Sequence, residues 1–213
     1  MKVLDLTHLM EEGMPVYPGT EQPSFSGAFS VREHGFREAR LTMLTHTGTH
    51  LDAPAHILNG GSTLEKLPID AFVGQAAVID VSGGTGRIEK SSLLHAAEDI
   101  AELDFVIFRT GWESRWGEES YFSGFPTLSP DTARWLTGHG LKGIGFDCIS
   151  ADPAETADFE IHKIVLGAGM IIIENLRGLD ALPDTRFRFA AFPLKLKDGD
   201  GSPVRAVGMW DEN

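Results

Sequence analysis

The sequence is poor in cysteine and in basic residues, and each shortage excludes a class of protein. Its only cysteine, Cys148, cannot form an intrachain disulfide, which suits a reducing compartment and predicts a cytoplasmic protein. There are 18 Lys and Arg against 31 Asp and Glu, a formal net charge of −13. Because nucleic acids and anionic membranes are bound through basic surfaces, neither is expected as a partner. The charge does not by itself identify the substrate, which is expected to be a small molecule.

Long hydrophobic runs are also missing. Apolar runs such as residues 170–173 are far shorter than the roughly 20 residues that cross a bilayer. The first five residues do not resemble a signal peptide. With 42% hydrophobic and 23% charged residues, the composition is ordinary for a globular protein. The length suits a single domain over residues 1–213.

The most informative stretch is residues 45–56, THTGTHLDAPAH, which holds three of the eight histidines. Four groups in it occupy even positions: His46, His50, Asp52 and His56. Residues two apart on extended backbone project to one face. A straight strand would separate His46 from Asp52 by roughly 20 Å, so the chain must bend, and Gly48 is best suited to the bend. Imidazole plus carboxylate is the ligand set of a catalytic zinc-type site.

The alternative to a metal site is a set of hydrogen-bonded core histidines. One buried histidine is more often of that kind, but three with an aspartate at ordered spacing favour a metal. The helical H-E-x-x-H site of metalloproteases is excluded, because Thr47 follows His46 and because Gly48 and Pro54 weaken a helix. His56, not required as a ligand, is free to move protons.

Strands and helices alternate only in part. The patterns predict strands at residues 3–6, 36–45, 76–81, 105–108, 143–147, 171–173, 186–196 and 203–209. They predict helices at 91–100, 129–138 and 159–166, and an aromatic loop near the pocket at 112–125. Residues 36–45 alternate as a half-buried strand leading to His46. Because no helices separate the early strands, we expect an α/β domain with a mixed, partly antiparallel sheet and flanking helices.

The pattern H-x-G-T-H-x-D-x-P-x-H over residues 46–56 resembles the signature of the cyclase family of metal-dependent hydrolases, which includes bacterial kynurenine formamidase. Further segments are similar to that family: residues 5–8, 13–19, 109–112, 147–153 and 200–205. The resemblance spans nearly the whole chain. It implies a swivelling β/β/α-like fold and a homodimer or higher homo-oligomer, for which aromatic residues of 112–125 are a candidate interface.

The resemblance also extends the site. His162 and Glu174 are unremarkable by themselves, since a lone histidine on an apolar helix face is usually a core residue. The family's formamidases bind two zinc ions, and its motif matches His162 and Glu174, which implies that both are ligands, with Asp52 and Glu174 as bridging groups. For a single ion, His46, His50 and Asp52 are the expected ligands.

Tyr17 lies in a turn-rich segment between a valine and a proline, and as sequence it is either core filler or a pocket rim residue. The resemblance implies a substrate contact, because the family's formamidases carry an aromatic residue there, usually tryptophan. The tyrosine departs from that pattern and leaves the substrate open.

The expected function is metal-dependent hydrolysis of an aryl formamide. A zinc ion, or manganese, would lower the pKa of its water, and the resulting hydroxide would attack the carbonyl, with His56 as general acid/base. The resemblance implies N-formylkynurenine as substrate, with kynurenine and formate as products in tryptophan catabolism. Two alternatives stay open: a hydrolase of cyclic amides or lactones such as isatin, and a non-catalytic metal-binding protein.

Overall fold

The computed structural model describes residues 1–84, 86–94 and 100–211. Its strands are β1 (Lys2–Asp5), β2 (Ser24–Phe29), β3 (Glu38–Thr42), β4 (His50–Asp52), β5 (Val73–Asp80), β6 (Arg87–Ile88), β7 (Phe105–Arg109), β8 (Thr127–Leu128), β9 (Gly143–Phe146), β10 (Ile171–Glu174), β11 (Phe187–Pro193) and β12 (Gly201–Trp210). Its helices are α1 (Val31–His34), α2 (Lys90–Leu93), α3 (Pro130–Thr137) and α4 (Glu160–Gly167). Short 3-10 turns include Pro54–His56, Trp112–Arg115 and Glu119–Phe122.

Seven strands close into a barrel. Around the ring the order is β12, β11, β5, β7, β9, β10 and β4, and β4 returns to β12. Four neighbours, β5, β7, β9 and β10, are parallel, and every other pairing in the ring is antiparallel. β12 is long enough to pair through Gly201–Pro203 with β4 and through its later residues with β1. The expected mixed sheet is therefore confirmed, and its closure into a barrel is the feature that the sequence patterns did not predict.

Alternating side chains divide the core into an inner and an outer part. On β7, Phe105 and Ile107 belong to the cluster that fills the barrel, whereas Val106 and Phe108 belong to the cluster outside it. The same period of two turns Leu51 of β4 inward. His50 and Asp52 therefore lie on the outer face of the sheet.

Two helices cover that outer face. α3 begins as predicted, with the Ser129 hydroxyl accepting a hydrogen bond from the Thr132 N–H and proline at the first helical position. α3 packs against α4, which also contacts β10. The buried face of α4 carries His162 among apolar residues. This packing brings His162 towards β10 and β4.

β2, α1 and β3 form a hairpin that leaves the barrel. Within residues 24–42 every residue is exposed except Ser30, which is half-buried. The prediction of a half-buried strand at 36–45 is therefore right in conformation for β3 and wrong in burial. Alternation indicates an extended strand, but it does not show whether a second layer covers the apolar face.

Several other predictions need comment. The remaining predicted strands are present within a few residues, and so are the helices at 129–138 and 159–166. Of the predicted helix 91–100, α2 covers the beginning, and residues 95–99 lie outside the described part. The segment 112–125 forms two 3-10 turns, and its aromatic residues are buried or half-buried rather than exposed as expected. An interface at this segment stays a prediction. Within the described residues, no helix has the length and apolar character needed to span a membrane.

Candidate metal centre

The bend that the motif requires lies at Gly48. Its φ is +66°, and a Cβ at this position would approach the Met14 Cε to 2.9 Å. After the bend, β4 presents His50 and Asp52 on its outer face. His46 precedes the bend, and its ring lies directly over Gly201 of β12, where any side chain would collide with the imidazole. Two glycines far apart in sequence are thus needed to position His46.

Asp52 lies at the centre of the cluster. Its Oδ1 is 2.6 Å from His46 Nδ1 and 3.3 Å from His50 Nε2. Its Oδ2 is 3.6 Å from His162 Nε2. Glu174 lies directly opposite His50 in the β10–β4 pairing. Its carboxylate oxygens are 3.5 Å from His50 Nε2 and 3.3 Å from His162 Nε2.

The structure therefore brings together all five residues that the sequence and the resemblance suggested as ligands. Two overlapping groups have ligand atoms within 4.8 Å of one another: His46, Asp52 and His56, and His50, Asp52 and Glu174. Asp52 is common to both groups. A carboxylate shared in this way has the position expected of a ligand that would bridge two metal ions.

The donor set fits a divalent cation. Asp52 is 1% exposed, yet its Oδ2 is buried without a hydrogen-bond partner among the described residues. A buried acceptor of this kind is costly unless something pairs with it. Burial would raise the pKa of Asp52, but the neighbouring imidazoles of His162, His46 and His50 hold it well below its usual value. Imidazole nitrogens and carboxylates around one unpaired oxygen form a donor set that fits a divalent cation.

Hydrogen bonds behind two histidines set their tautomers. His50 Nδ1 donates to the Gly48 carbonyl at 2.8 Å, and His162 Nδ1 donates to Asp152 Oδ2 at 2.6 Å. In both rings Nε2 is left facing the carboxylates. Asp152 also accepts the backbone N–H groups of Ile161 and His162 at the start of α4, at 2.9 and 3.0 Å. Such partners orient metal-binding imidazoles and raise their basicity.

Asp200 is a site residue that the sequence analysis missed. Its Oδ2 is 3.0 Å from His46 Nε2 and 3.7 Å from His56 Nδ1, and its Oδ1 accepts from the Thr45 hydroxyl at 3.1 Å. Burial lowers the pKa of His46, but the hydrogen bonds with Asp52 and Asp200 outweigh it and raise that pKa to about 9. Residues 200–205 resemble the cyclase family, which was the available signal, but only the β12–β4 pairing places Asp200 in the site.

His56 lies beside the cluster and faces open space. It ends the 3-10 turn Pro54–His56, and its ring centroid is 3.8 Å from that of His46. Burial lowers the pKa of His56, and although Asp52 opposes this effect, the neighbouring His46 and His162 reinforce it. No hydrogen bond to the His56 side chain is found in the described part of the chain. An imidazole whose lowered pKa favours the neutral form, and whose ring makes no hydrogen bond to a described residue, can accept a proton.

A cavity of about 400 Å³ opens beside these groups and includes His46, His50, His56, His162 and Glu174 in its wall. Tyr17, Ile149 and Phe159 also line it. Phe159 is a second residue that the sequence did not suggest: it begins α4 with a φ of +49°, in the left-handed region. Residues 112–125 do not line this cavity themselves, but the Tyr121 hydroxyl donates to Oδ1 of Asn175, which does, at 2.6 Å. The loop therefore lies near the pocket, as expected.

The barrel and the buried cluster beside an open cavity define a metal-dependent hydrolase. The comparisons with known proteins narrow the class to a family. Residues 4–153 match the Cyclase family model. The kynurenine formamidase of Erythrobacter litoralis is 34% identical over 207 residues, which cover 97% of this chain and 93% of the relative. The chain belongs to the cyclase family. A divalent metal is supported by its His/Asp/Glu cluster and by a structural neighbour described as a potential metal-dependent hydrolase.

Solved structures agree with this assignment. The structure of a potential metal-dependent hydrolase with cyclase activity matches with a TM-score of 0.83 and 35% identity, covering 100% of this chain and 99% of the other. Isatin hydrolase A from Labrenzia aggregata, bound to benzyl benzoate, matches with a TM-score of 0.89 and 27% identity over 99% of this chain and 94% of the other. The expected family, the fold class and the hydrolase class are therefore confirmed.

Proposed function

We propose that the chain is an arylformamidase that hydrolyses the carbon–nitrogen bond of N-formylkynurenine and releases kynurenine and formate. The supporting observation is the position of His56, an imidazole with no hydrogen bond among the described residues, beside the ligand cluster and in the wall of the cavity. A structural metal site, in which protein ligands fill every coordination position, does not require an additional imidazole of this kind. The substrate is suggested by the curated relatives, which are named kynurenine formamidase.

The cluster would hold two zinc ions. His46, His50 and Asp52 are the proposed ligands of one ion, and Asp52, His162 and Glu174 of the other. Three imidazoles favour zinc over the harder manganese ion, which is the alternative. A bound divalent cation polarises a substrate carbonyl and lowers the pKa of water.

The residues around the ions would move the protons. Asp200 faces Nδ1 of His56 at 3.7 Å, which leaves Nε2 as the atom for proton transfer to and from the substrate. His56 Nε2 takes a proton from the water that attacks the formyl carbon. It then donates this proton to the aryl nitrogen as the carbon–nitrogen bond breaks.

The cavity suits a planar aromatic substrate. A volume of about 400 Å³ falls within the usual range for small-molecule sites. Tyr17 and Phe159 offer aromatic surface in its wall, and Tyr17 is therefore proposed as a substrate contact. Phe159 holds a left-handed backbone that disfavours bulky residues, and its ring lies edge-on to His162 with centroids 5.9 Å apart. Strain at a cavity wall indicates that this ring serves the site.

The test is elemental analysis of the purified protein combined with N-formylkynurenine turnover before and after chelation. We expect zinc in the protein, loss of turnover on chelation and recovery when zinc is returned. Isatin is the comparison substrate, because an isatin hydrolase shares the fold. Turnover of isatin without turnover of the formamide would overturn the proposed substrate, and activity that is indifferent to metal removal would overturn the proposed chemistry.

A further inference from the structure

Asn175 follows Glu174 at the end of β10 and joins that strand to the segment before β4. Asn175 is only 3% exposed. Its backbone N–H donates to the Cys148 carbonyl at 3.0 Å, and its own carbonyl accepts the Thr49 hydroxyl at 2.5 Å. In the side chain, Nδ2 donates to the Gly48 carbonyl at 2.8 Å. Asn175 therefore holds the bend of the histidine motif with both its backbone and its side chain.

The backbone of Asn175 limits which residues fit at this position. Its φ is +57°, in the left-handed region that glycine, asparagine and aspartate adopt more readily than other residues. Glycine has no side chain to donate to the Gly48 carbonyl, and an ionised aspartate is only an acceptor. Asparagine is therefore the residue that combines this backbone conformation with a side-chain N–H donor.

The Gly48 carbonyl accepts a second hydrogen bond, from a proposed ligand. His50 Nδ1 lies 2.8 Å from this oxygen, the same distance as Asn175 Nδ2. A carbonyl oxygen has two lone pairs and can only accept, so both nitrogens must be donors. His50 therefore carries its proton on Nδ1, which leaves Nε2 to face Asp52 and Glu174 at 3.3 and 3.5 Å. The direction of one carbonyl thus orients the imidazole.

Tyr121 fixes which end of the Asn175 amide faces the Gly48 carbonyl. Because that carbonyl only accepts, Nδ2 must point towards it and Oδ1 must point away, towards the Tyr121 hydroxyl at 2.6 Å. The hydroxyl therefore donates to Oδ1. Tyr121 is fully buried, and burial raises its pKa well above the usual value, which keeps the proton on the phenol. Hydrogen bonds through Asn175 and Gly48 thus connect the segment 112–125 to His50.

We propose that Asn175 is a positioning residue of the metal centre. Its amide, oriented by Tyr121, holds the Gly48 carbonyl, and this carbonyl keeps Nε2 of His50 directed towards the carboxylates where a metal ion would bind. The role rests on the proposed function in one respect, because it takes His50 to be a metal ligand. It does not depend on which substrate enters the cavity. Loss of either hydrogen-bonding side chain should therefore be detected at His50.

The first experiment is nitrogen-15 NMR of the histidine rings in the zinc-loaded full chain. We expect resolved Nδ1–H signals from His50 and His162, because each proton is held in a hydrogen bond. Asn175→Gly keeps the left-handed backbone but removes the amide, and it should broaden or abolish the His50 signal. The His162 signal, whose partner is Asp152, should persist and is the internal control for folding. A His50 signal unchanged in this variant, or loss of both signals together, would overturn the proposal.

Zinc affinity, measured by competition with a chelator, tests whether Tyr121 acts through Asn175. Asn175→Gly should weaken binding about 10-fold, the lower end of the range for groups that orient a ligand. Tyr121→Phe removes only the hydroxyl and should weaken binding by less, with no further effect in the Asn175→Gly background. Thr132→Val is the matched control, because it removes a buried hydroxyl that donates to the Ile88 carbonyl. Additive effects, or an equal loss in the control, would contradict the proposal.

Turnover of N-formylkynurenine by the same samples separates this proposal from the proposed function. The expected NMR and affinity changes without turnover in the wild type would reject the formamidase and leave the positioning role of Asn175 standing. Turnover in the wild type, with zinc bound as tightly by Asn175→Gly as by the wild type, would reject the positioning role and leave the formamidase standing. A wild type that binds no zinc would overturn both, because His50 would then not be a zinc ligand.

Discussion

Single residues determine the chemistry that the cluster can perform. His56 is the residue that distinguishes an enzyme from a non-catalytic metal-binding protein. Its ring stands 3.8 Å from that of His46 and lines the cavity. In geometry it is also close enough to Asp52 to be a ligand. Substitution of His56 therefore distinguishes a general acid/base from a metal ligand.

For His56→Ala we expect unchanged metal content and a kcat lowered by about 10² to 10⁴, the usual contribution of a general acid/base. Metal analysis and steady-state kinetics on the same sample give both quantities. His139→Ala, on a histidine that bonds the Trp135 carbonyl at the end of α3, is the control. Loss of metal from the His56 variant would make it a ligand, and full activity would remove its role.

Phe159 gives a paired prediction about strain. Both Phe159→Ala and Phe159→Gly remove the ring and should raise the KM for the formamide alike. Only glycine accommodates the φ of +49° without cost, so Phe159→Gly should be more stable than Phe159→Ala by about 1 kcal/mol. Urea unfolding measures the difference. Equal stabilities would show that the left-handed backbone stores no strain.

His8 predicts how stability depends on pH away from the metal. Its ring stacks on Trp116 with centroids 3.7 Å apart, and burial, aided by Arg177, lowers its pKa to about 4. Above pH 6.5 the ring is neutral in both the folded and the unfolded chain. Between about pH 6.5 and 4 only the unfolded chain gains the proton, so the folded state loses stability as the pH falls.

The variant His8→Phe keeps an aromatic ring against Trp116 and removes this titration. With chelator present throughout, its stability relative to wild type should rise by about 2 kcal/mol between pH 7 and pH 4, after allowance for partial solvent screening. Urea unfolding at a series of pH values provides the measurement. A stability difference that does not change with pH would contradict the assignment.

At the scale of elements, the site depends on contacts between three elements: β4, β10 and the first turn of α4. β10 and β4 pair so that Glu174 faces His50. α4 contributes His162, and Asp152 both accepts the first backbone N–H groups of the helix and holds the His162 ring. The start of the helix and the orientation of a ligand thus share one carboxylate.

Asp152→Asn should therefore lower metal affinity by about 10- to 100-fold, as expected when the partner of a metal-binding histidine is weakened. Competition with a chromogenic chelator measures the affinity without reference to turnover. Asp158→Asn, an exposed aspartate in the same loop, serves as the control. If the two variants bind metal equally well, Asp152 acts only on the helix.

For the whole molecule, the proposed ligands join parts of the chain that are distant in sequence, from His46 to Glu174. A metal ion bound to these residues would pair with the buried Oδ2 of Asp52, which has no hydrogen-bond partner among the described residues. We expect chelation to lower the midpoint of thermal unfolding and excess zinc to restore it, because a ligand that binds only the folded state stabilises it by mass action. Scanning calorimetry with and without chelator checks this. An identical midpoint would mean that the cluster contributes nothing to stability.

The fold and the site were predictable to different degrees. Most strands followed from alternation or from short apolar runs, and α3 followed from its serine cap and proline, because these signals are local. His46, His50 and Asp52 could be inferred as candidate ligands from their spacing on extended backbone. His162 and Glu174 came only from resemblance, because one histidine on an apolar helix face has no signal of its own.

The sequence by itself determined the chemistry of the motif and the need for a bend at Gly48, since both depend on residues within a few positions of one another. Only the tertiary structure decided that the sheet closes between β12 and β4, which brings Asp200 to His46 and His56. It also decided that the hairpin of residues 24–42 extends away from the barrel with its side chains exposed. In addition, it placed Phe159 in the wall of the cavity. These features depend on which strands pair and which faces pack. Packing of that kind is a property of the whole chain that no local pattern records.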